Sequence, residues 1–431
     1  MAKTLADWLE YLESLHPKTI ALGLERVEQV KQRLNLLPDF PIITVGGTNG
    51  KGSVCAMLES MLHAAGYRVG CYTSPHLLHY NERVRIAKRQ VNDAELCTSF
   101  EQIEQVRGNI QLTYFEFGTL AAMQCFISHK VDVAIMEVGL GGKLDAVNVF
   151  DNDCAVIASV DIDHTDYLGD TREAIAYEKA GIMRNGKVVI CADSDVPQAI
   201  RAQAQLVGAE LWCIGGEFDF TPHQGQWDYR SKLGSRNALP YPALRGAFQF
   251  GNASAALAAL DVLKDRLPVS MEAVRRGMTE VNLAGRFQFV PGKPTLILDV
   301  AHNPHAARSL AQNLAGLPGC PHTYAIFAML KDKDMAGVAA ALGACIDTWL
   351  VAGIAAPRGA TAGELEQALK RGGVTGEMLT FDNITEAVSY AYNAAGENDR
   401  IAAFGSFHTV AEVMAARGLS ITPQYTNQAE S

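Results

Sequence analysis

The sequence has no run of about 18 consecutive apolar residues, the length that a membrane-spanning helix usually requires. Its N-terminus carries Lys3, Asp7, Glu10 and Glu13, so it also lacks the apolar core of a secretory signal peptide. We therefore expect a cytoplasmic protein that has no membrane partner.

The sequence also has no pair of cysteines spaced C-x-x-C. Its nine cysteines are odd in number and are scattered from Cys55 to Cys345. This pattern favours neither a disulfide framework nor a thiolate zinc site. The reduced thiols of a cytoplasmic protein fit it best.

Basic residues are in deficit, because 37 lysines and arginines stand against 47 aspartates and glutamates, which gives a net charge of −10. This balance argues against a surface that binds nucleic acid. The apolar fraction of 48% and the charged fraction of 19% are typical of a globular protein. A chain of 431 residues is long enough for two or three domains.

The glycine-rich stretch that begins at residue 46 departs from the strict phosphate-binding P-loop pattern, because Val45 replaces its first glycine and Gly52 separates Lys51 from the next serine. Apolar patterns nevertheless predict a strand over residues 40–45 and a helix over residues 53–65. A glycine turn between them can bind phosphates through backbone N–H groups, the helix N-terminus and a lysine. A turn without a ligand is the alternative. The candidate residues are Thr48, Asn49, Gly50, Lys51, Gly52 and Ser53.

Polar side chains follow three further predicted strands. They are Ser74, Glu137 and His164, the last of which lies among acidic residues. Open α/β sheets bind ligands at the carboxyl ends of their strands, where such side chains could hold Mg²⁺. The alternatives are a plain Ser-Pro turn, a carboxylate that caps a turn and a structural histidine.

Two predicted helices carry residues whose roles their spacing does not decide. The helix that starts near Thr113 is rich in aromatic residues, and Tyr114, Phe115 and Phe117 are typical of core packing. Lys179 lies on a later helix, where an ion pair on a solvated face is the simplest interpretation.

Strand and helix patterns alternate along most of the chain, which predicts an α/β protein. Residues 218–241 are predicted to form hairpins, and an alanine-rich helix is predicted to open at Gly251. The pattern resets near Ala284, so we predict an N-terminal domain over residues 1–283 and a second βα-wound domain over residues 284–431. The tail, residues 421–431, is predicted to be disordered.

Eight short motifs occur along nearly the whole chain. They are Gly47-Thr48-Asn49-Gly50-Lys51-Gly52-Ser53, Thr73-Ser74-Pro75-His76-Leu77, Tyr80-Asn81-Glu82-Arg83, Glu137-Val138-Gly139-Leu140-Gly141-Gly142, Asp163-His164-Thr165-Asp166-Tyr167-Leu168-Gly169, Glu178-Lys179-Ala180-Gly181-Ile182, Gly285-Arg286-Phe287 and Asp299-Val300-Ala301-His302-Asn303-Pro304. In this order they resemble the motifs of the bacterial bifunctional folylpolyglutamate synthases, also called dihydrofolate synthases, of the Mur ligase superfamily. The resemblance implies an N-terminal P-loop NTPase-type domain and a C-terminal Rossmann-like α/β domain that close on ATP and substrate.

The resemblance also implies roles for individual residues. ATP would be bound by residues 48–53 together with Asn252, Arg286, Asp299 and His302. Magnesium would be held by Ser74, Glu137, His164 and Lys179, the last as a carbamate, and Lys51, His164 and Lys179 would be catalytic. The pterin or folate would be bound by Thr113, Tyr114, Phe115, Glu116, Leu144, Asp145 and Ala146.

The activity that the resemblance implies is ATP-dependent amide formation through an acyl phosphate. L-glutamate would be added to dihydropteroate, forming dihydrofolate, and to reduced folates, forming polyglutamates. The cofactors implied are ATP and Mg²⁺, with two ions, and a monovalent cation is also allowed. The protein would act as a monomer.

Two other functions are open to this sequence. A Mur-type ligase for a different acceptor is disfavoured by the match at residues 113–116. A nucleotide-dependent switch without catalysis is disfavoured because Lys51, Glu137, His164 and Lys179 are all present, and a switch has no need of a metal site for an amine acceptor.

Overall fold

A computed structural model of the chain describes residues 3–16 and 21–420. The tail predicted to be disordered, residues 421–431, lies outside the described residues. Contacts divide the chain into two compact units, Met1–Asn282 and Leu283–Ser431. Each unit has its own sheet with helices packed on it, and the predicted α/β class is confirmed.

The first unit is built on an eight-stranded sheet. Its strands are β1 (Ile42–Gly46), β2 (Val69–Tyr72), β3 (Val84–Ile86), β4 (Arg89–Gln90), β5 (Val133–Glu137), β6 (Cys154–Ile157), β7 (Val188–Cys191) and β8 (Glu210–Cys213). They lie in the order β4-β3-β2-β5-β1-β6-β7-β8, and all pairs from β2 to β8 are parallel. Every residue of β1, β2, β5 and β6 is buried, which explains their nearly continuous apolar sequences.

The helices of this unit are α1 (Leu5–Leu15), α2 (Glu25–Arg33), α3 (Lys51–Ala64), α4 (Asp93–Arg107), α5 (Tyr114–Ser128), α6 (Thr165–Leu168), α7 (Arg172–Ala180), α8 (Gln198–Val207), α9 (Phe248–Val262) and α10 (Met271–Glu280). Single 3₁₀ turns occur at Tyr80–Arg83 and Ala146–Val149. The prediction that a helix opens at Gly251 is wrong, because α9 begins three residues earlier. Phe250 stacks on Phe220 with ring centroids 5.8 Å apart, and this packing carries the helix through the glycine.

The predicted hairpins form a small antiparallel sheet of β9 (Phe218–Pro222), β10 (Gln226–Ser231) and β11 (Gly234–Pro240). Its buried Tyr229 donates its hydroxyl to Asp261 of α9 at 2.9 Å. A carboxylate on α9 thus fixes the sheet to the helix, and α9 in turn packs against α3.

The second unit has a six-stranded sheet in the order β12-β13-β17-β14-β15-β16. Its strands are β12 (Gln288–Val290), β13 (Thr295–Leu298), β14 (Thr323–Phe327), β15 (Thr348–Ala352), β16 (Glu377–Phe381) and β17 (Arg400–Phe404), and its helices are α11 (Pro304–Ala315), α12 (Met335–Leu342), α13 (Ala362–Arg371), α14 (Ile384–Ala394) and α15 (Phe407–Ala416), with a 3₁₀ turn at Gly343–Cys345. Trp349 is fully buried between Phe327 and Phe404, at centroid distances of 5.3 and 5.9 Å. In the part of the chain that is described, no helix is long and apolar enough to cross a bilayer.

Candidate active site

Four neighbouring parallel strands of the first sheet end at the same edge. In spatial order they are β2, β5, β1 and β6, with Tyr72 opposite Met136, Val45 opposite Glu137 and Gly46 opposite Ile157. The segments that leave these ends carry Ser74, Glu137, the glycine-rich loop and His164, respectively. The fold therefore brings side chains from four distant parts of the sequence to one edge, where open α/β sheets bind ligands.

The glycine-rich loop needs its glycines for conformation and for space. Gly50 has a φ of +86° and caps the N-terminus of α3. Gly47 has a φ of +140°, and a Cβ on it would lie 3.1 Å from the backbone nitrogens of Ala158 and Ser159. The loop is thus packed directly on the chain that leaves β6, so closely that a side chain at Gly47 would force its neighbours to shift.

Hydrogen bonds tie the same loop to that segment. The Thr48 N–H donates to the Ser159 carbonyl at 2.7 Å, and the Thr48 hydroxyl donates to the Asp161 carbonyl at 3.0 Å. The Asn49 N–H donates to the Ser159 hydroxyl at 3.0 Å. The Lys51 ammonium folds over the loop and donates to the Gly47 carbonyl at 2.9 Å. Lys51 therefore places a positive charge directly above the loop backbone.

Helix α9 forms one wall of the loop. The Asn252 amide donates to Gln249 at 2.9 Å, and the Gln249 amide donates to the Ser53 hydroxyl at 3.3 Å. A Cβ on Gly50 would lie 2.5 Å from Asn252 Oδ1. Asn252 was predicted to line the nucleotide, whereas Gln249 was not singled out. Its position three residues before Asn252, on the same helix face, was the available signal.

Ser74 and Glu137 are in direct contact. The Ser74 N–H donates to Glu137 Oε2 at 3.1 Å, and Glu137 is only 4% exposed at the end of β5. A buried carboxylate beside a serine offers the oxygen ligands that Mg²⁺ prefers.

His164 lies in a left-handed backbone conformation, with φ of 53° and ψ of 43°, at the start of α6. Its N–H donates to Asp163 Oδ1 at 2.8 Å. Val160, earlier in the same segment, is fixed by two hydrogen bonds. Its N–H donates to Asp193 at 2.7 Å, and its carbonyl accepts from Arg172 Nε at 2.8 Å. The histidine is thus presented by a segment that is fixed at its base.

Lys179 is buried in α7, with 4% exposure, so an ion pair on a solvated face is excluded for it. Burial lowers the pKa of Lys179 from 10.5 to about 7, and the positive charge of Lys51 adds to this effect, although Asp163 and Asp145 oppose it. A Cβ on Gly142 would lie 3.1 Å from the Lys179 Cα, so the loop after β5 packs tightly on this helix. A lysine with such a pKa is largely an uncharged amine at slightly alkaline pH.

The carboxylates of this edge are too dispersed to form a metal cluster by themselves. Among residues 3–16 and 21–420, no group of three or more His, Cys, Asp and Glu side chains could hold an ion. Mg²⁺ commonly takes one or two protein ligands and completes its shell with phosphate oxygens and water. The residues present therefore suit a metal that arrives with a nucleotide better than a permanent metal centre.

The predicted folate-binding residues at the start of α5 also have structural contacts. Thr113 and Glu116 form a capping box, with bonds of 2.7 and 3.2 Å, and Glu116 also pairs with Arg26 at 3.0 Å. The Phe115 ring would lie 2.6 Å from a Cβ on Gly139, so it packs on the loop that follows Glu137. The partly exposed Tyr114 packs edge-on against the buried Tyr80, with ring centroids 5.8 Å apart.

Asp145 shapes the loop after β5. Its carboxylate accepts the N–H groups of Gly139, Leu140 and Val147 at 2.9 to 3.0 Å. Burial raises the pKa of Asp145 to about 6, against the effect of these three hydrogen bonds. Leu144 beside it is 37% exposed, whereas Ala146 is buried at the start of a 3₁₀ turn.

The three predicted nucleotide residues of the second unit lie together at the carboxyl ends of β13 and β17. Burial raises the pKa of Asp299, which accepts the N–H groups of Phe287 and Ala301 at 2.8 Å each. The Arg286 guanidinium lies 5.1 Å from the Phe407 ring, and the His302 ring lies 6.4 Å from it. Phe407 was not singled out, although an aromatic residue at the first position of a helix after a strand could have indicated it.

Two family models match the chain. The Mur ligase middle domain matches residues 45–260, and the glutamate ligase domain of Mur ligases matches residues 285–407. Together these matches cover both units and include the glycine-rich loop, Glu137, His164, Lys179 and Asp299.

Relatives match over nearly the full length. The dihydrofolate synthase/folylpolyglutamate synthase of Escherichia coli strain K12 is 46% identical over 96% of this chain and 95% of its own, and the one from Haemophilus influenzae is 41% identical over 95% and 97%. A solved structure of E. coli FolC in complex with DHPP and ADP has a TM-score of 0.91 at 45% identity, covering 97% of this chain and 98% of its own. A bifunctional folylpolyglutamate synthase/dihydrofolate synthase with Mn, AMPPNP and L-glutamate bound has a TM-score of 0.90 at 47% identity, with the same coverage.

Proposed function

The chain belongs to the Mur ligase family, and within it to the dihydrofolate synthases/folylpolyglutamate synthases, and on this basis we propose which of its residues bind nucleotide, metal and folate. The protein is an ATP-dependent ligase that adds glutamate in folate metabolism. The relatives, which are dihydrofolate synthases/folylpolyglutamate synthases, support neither a ligase for another acceptor nor a nucleotide switch.

One observation carries the site assignment. Ser74, Glu137, the glycine-rich loop and His164 lie at one edge of the sheet, at the ends of β2, β5, β1 and β6. Lys179 is buried close enough to Lys51 for the charge of Lys51 to lower its pKa. Separate structural roles for these residues would not require that they share one edge.

The glycine-rich loop is the proposed ATP phosphate site. Its backbone N–H groups at the start of α3 and the Lys51 ammonium supply positive potential, and Lys51 can exchange the Gly47 carbonyl for a phosphate oxygen. Asn252 and Gln249 fix the loop from α9. In the second unit, Arg286, Asp299 and His302 are proposed to contact the nucleotide.

Ser74, Glu137, His164 and a carbamylated Lys179 are the proposed ligands of divalent metal, which binds in relatives together with a nucleotide analogue. Mg²⁺ would lower the charge repulsion between ATP and the incoming carboxylate. We propose two ions, since the four ligands come from four separate segments, and a monovalent cation as a further occupant. The uncharged amine of Lys179 can attack the carbon of CO₂ and release a proton to solvent, which would give a carbamate whose anionic oxygens can act as ligands.

The proposed reaction proceeds in two displacements. A carboxylate oxygen of dihydropteroate or of a folate attacks the γ-phosphorus of ATP, the bond to ADP breaks, and an acyl phosphate forms. The glutamate amine then attacks the acyl carbon, phosphate leaves, and the nitrogen loses a proton as the amide forms. Lys51 offsets charge on the transferred phosphoryl group, and the buried edge formed by Glu137 and Lys179 limits the access of water.

Folate is proposed to bind beside this edge, against Tyr114 and Phe115 of α5 and the loop at Leu144. Tyr114 and Leu144 keep partial exposure and can contact a ligand, while Thr113, Glu116 and Asp145 hold the helix start and the loop in shape. All nine cysteines are free, which supports our proposal that the enzyme acts in the reducing cytoplasm. We also propose that the protein acts as a monomer.

Substitution of Lys51 tests the assignment of the ATP site. Lys51→Met should lower both amide formation and phosphate release by about a hundredfold or more, because it removes the charge above the phosphate loop. Lys264→Met, at an exposed lysine of the same unit, is the control and should retain both. Unchanged product formation by Lys51→Met would remove the loop from the proposed site.

A further inference from the structure

Arg85 of β3 is a largely buried arginine, with 17% of its side chain exposed, and it uses all of its nitrogen atoms in hydrogen bonds. Its Nε and Nη2 donate to Glu59 Oε2 at 3.0 and 2.8 Å. Its Nη1 donates to the Thr73 hydroxyl at 3.0 Å and to the Glu82 carbonyl at 2.8 Å. Its Nη2 also contacts Cys71 Sγ at 3.2 Å.

Glu59, Thr73 and Glu82 lie on two parts of the site, a helix and a connection between strands. Glu59 belongs to α3, the helix that the glycine-rich loop opens. Thr73 directly precedes Ser74, and Glu82 lies at the far end of the same connection between β2 and β3. A single guanidinium therefore joins the phosphate-loop helix to both ends of the segment that carries Ser74.

Hydrogen bonds inside the connection between β2 and β3 also fix its conformation. The Glu82 carboxylate accepts the N–H groups of Leu77 and Leu78 at 2.8 and 2.7 Å. The Thr73 N–H donates to the Arg83 carbonyl at 2.9 Å. Of the two points at which the segment meets Arg85, the Thr73 hydroxyl is the one next to Ser74, whose N–H donates to Glu137.

We propose that Arg85 is a positioning residue, which holds Ser74 against Glu137 by tying the Thr73 hydroxyl to Glu59 on the phosphate-loop helix. The inference rests on the proposed role of Ser74 and Glu137 as metal ligands. Arg85 touches neither ligand, so its effect passes through Thr73.

Stability alone does not explain this arrangement. Replacing both members of a buried ion pair by apolar residues of similar volume often leaves stability unchanged, because the charges no longer need to be desolvated. The planar guanidinium, in contrast, fixes the directions of several partners at once. A positioning role predicts that metal binding is lost while stability is kept.

The first unit offers a matched control. Arg236 and Asp261 form another largely buried ion pair, with side-chain exposures of 16% and 8%, and Asp261 also accepts hydrogen bonds from the hydroxyls of Tyr229 and Ser231. This pair fixes the small antiparallel sheet to α9.

The test compares Thr73→Val, which removes the hydroxyl at nearly constant volume, with Thr73→Ser, which keeps it. The readout is the affinity of the full-length protein for Mn²⁺ in the presence of a non-hydrolysable ATP analogue, followed by electron paramagnetic resonance. Thr73→Val should weaken Mn²⁺ binding about tenfold and raise the apparent KM for metal more than it lowers kcat. Thr73→Ser should bind Mn²⁺ as the wild type does, and both should unfold at the wild-type temperature.

The double variant Arg85→Met/Glu59→Leu should weaken Mn²⁺ binding as Thr73→Val does, whereas Arg236→Met/Asp261→Leu should leave it unchanged. Two further variants, Ser74→Ala and Glu137→Gln, remove the proposed metal ligands themselves and so test the metal site independently of Arg85. If these two variants bind Mn²⁺ normally, the metal site itself is wrong. If Ser74→Ala and Glu137→Gln bind Mn²⁺ weakly but Thr73→Val binds it normally, the positioning role of Arg85 is overturned. The same holds if Thr73→Ser binds Mn²⁺ as weakly as Thr73→Val does. Both conclusions stand whether or not the double variant folds.

Discussion

Replacing Lys179 with methionine should stabilise the protein at neutral pH and abolish glutamate ligation. Lys179 is 4% exposed, and burial lowers its pKa from 10.5 to about 7, so the folded chain resists holding its proton. Methionine fills a similar volume and carries no charge to desolvate. An ordinary structural residue would show the opposite result, a loss of stability with some activity retained.

The size of the stability effect follows from the two pKa values. Their difference corresponds to on the order of 5 kcal/mol in the free energy of unfolding. This penalty is complete below about pH 7, where both the folded and the unfolded chain hold the proton. It fades as the pH rises from 7 toward 10.5, because the folded chain has then released the proton while the unfolded chain still holds it. The wild type should therefore gain stability relative to Lys179→Met over this range.

The same pKa bears on the chemistry, because only an uncharged amine attacks CO₂. At pH 8 about 90% of a lysine with a pKa near 7 is uncharged, compared with less than about 1% of an exposed lysine. With ¹³C-labelled bicarbonate, a single carbamate resonance should appear in the wild type and be absent from Lys179→Met. Short carboxylic acids are expected to restore part of the activity of Lys179→Ala.

The assays are urea unfolding from pH 6 to pH 10 in CO₂-free buffer, carbon NMR and product formation, with Lys264→Met as the control at an exposed lysine. Lys179→Met should exceed the wild type in stability at pH 6, and the difference should shrink with rising pH, while Lys264→Met follows the wild type. A constant difference across this range would refute the lowered pKa. Near-wild-type kcat in Lys179→Ala would refute the carbamate role.

Three glycine substitutions, one of them a control, probe backbone strain and packing. Gly50→Ala should weaken nucleotide binding, measured by calorimetry, at least about tenfold, because the new Cβ would lie 2.5 Å from Asn252 Oδ1 in a residue with φ of +86°. Gly66 also has a positive φ, +95°, but no atom lies within 4 Å of a Cβ placed on it. Gly66→Ala is therefore the control, and it should cost only about 1 kcal/mol of stability and leave nucleotide affinity unchanged. Gly277→Ala should lower the free energy of unfolding by about 1–3 kcal/mol, since its Cβ would lie 2.5 Å from the Met61 Cα where α10 packs on α3; wild-type thermal stability in this variant would contradict the packing described.

The sequence predicts the parts of the fold that depend on local pattern. Buried parallel strands are continuous apolar runs, so β1, β5 and β6 were recognised, and with them the polar residues at their ends. Helix α4 was missed, although Asn92 and Glu95 form a capping box that marks its start.

Properties that arise from distant contacts were beyond sequence reasoning. Lys179 looks like a surface residue in its own helix, and its burial depends on the loop at Gly142 packing against that helix. Gln249 contacts Ser53 across 196 positions of sequence, and Arg85 reaches Glu59 only because β3 folds back beside β2. Local pattern located the polar residues at the strand ends that are proposed as ligands, and tertiary packing determined their environment.

This chain is expected to form the amide between glutamate and two kinds of acceptor, dihydropteroate and reduced folates. Purified protein should be incubated with ATP, Mg²⁺ and L-glutamate, with either dihydropteroate or tetrahydrofolate, and the products followed by mass spectrometry alongside phosphate release. We predict addition of glutamate to both acceptors, with one phosphate released per amide formed. Addition to tetrahydrofolate alone would reduce the enzyme to a polyglutamate synthase, and ATP turnover without addition to either acceptor would contradict the account.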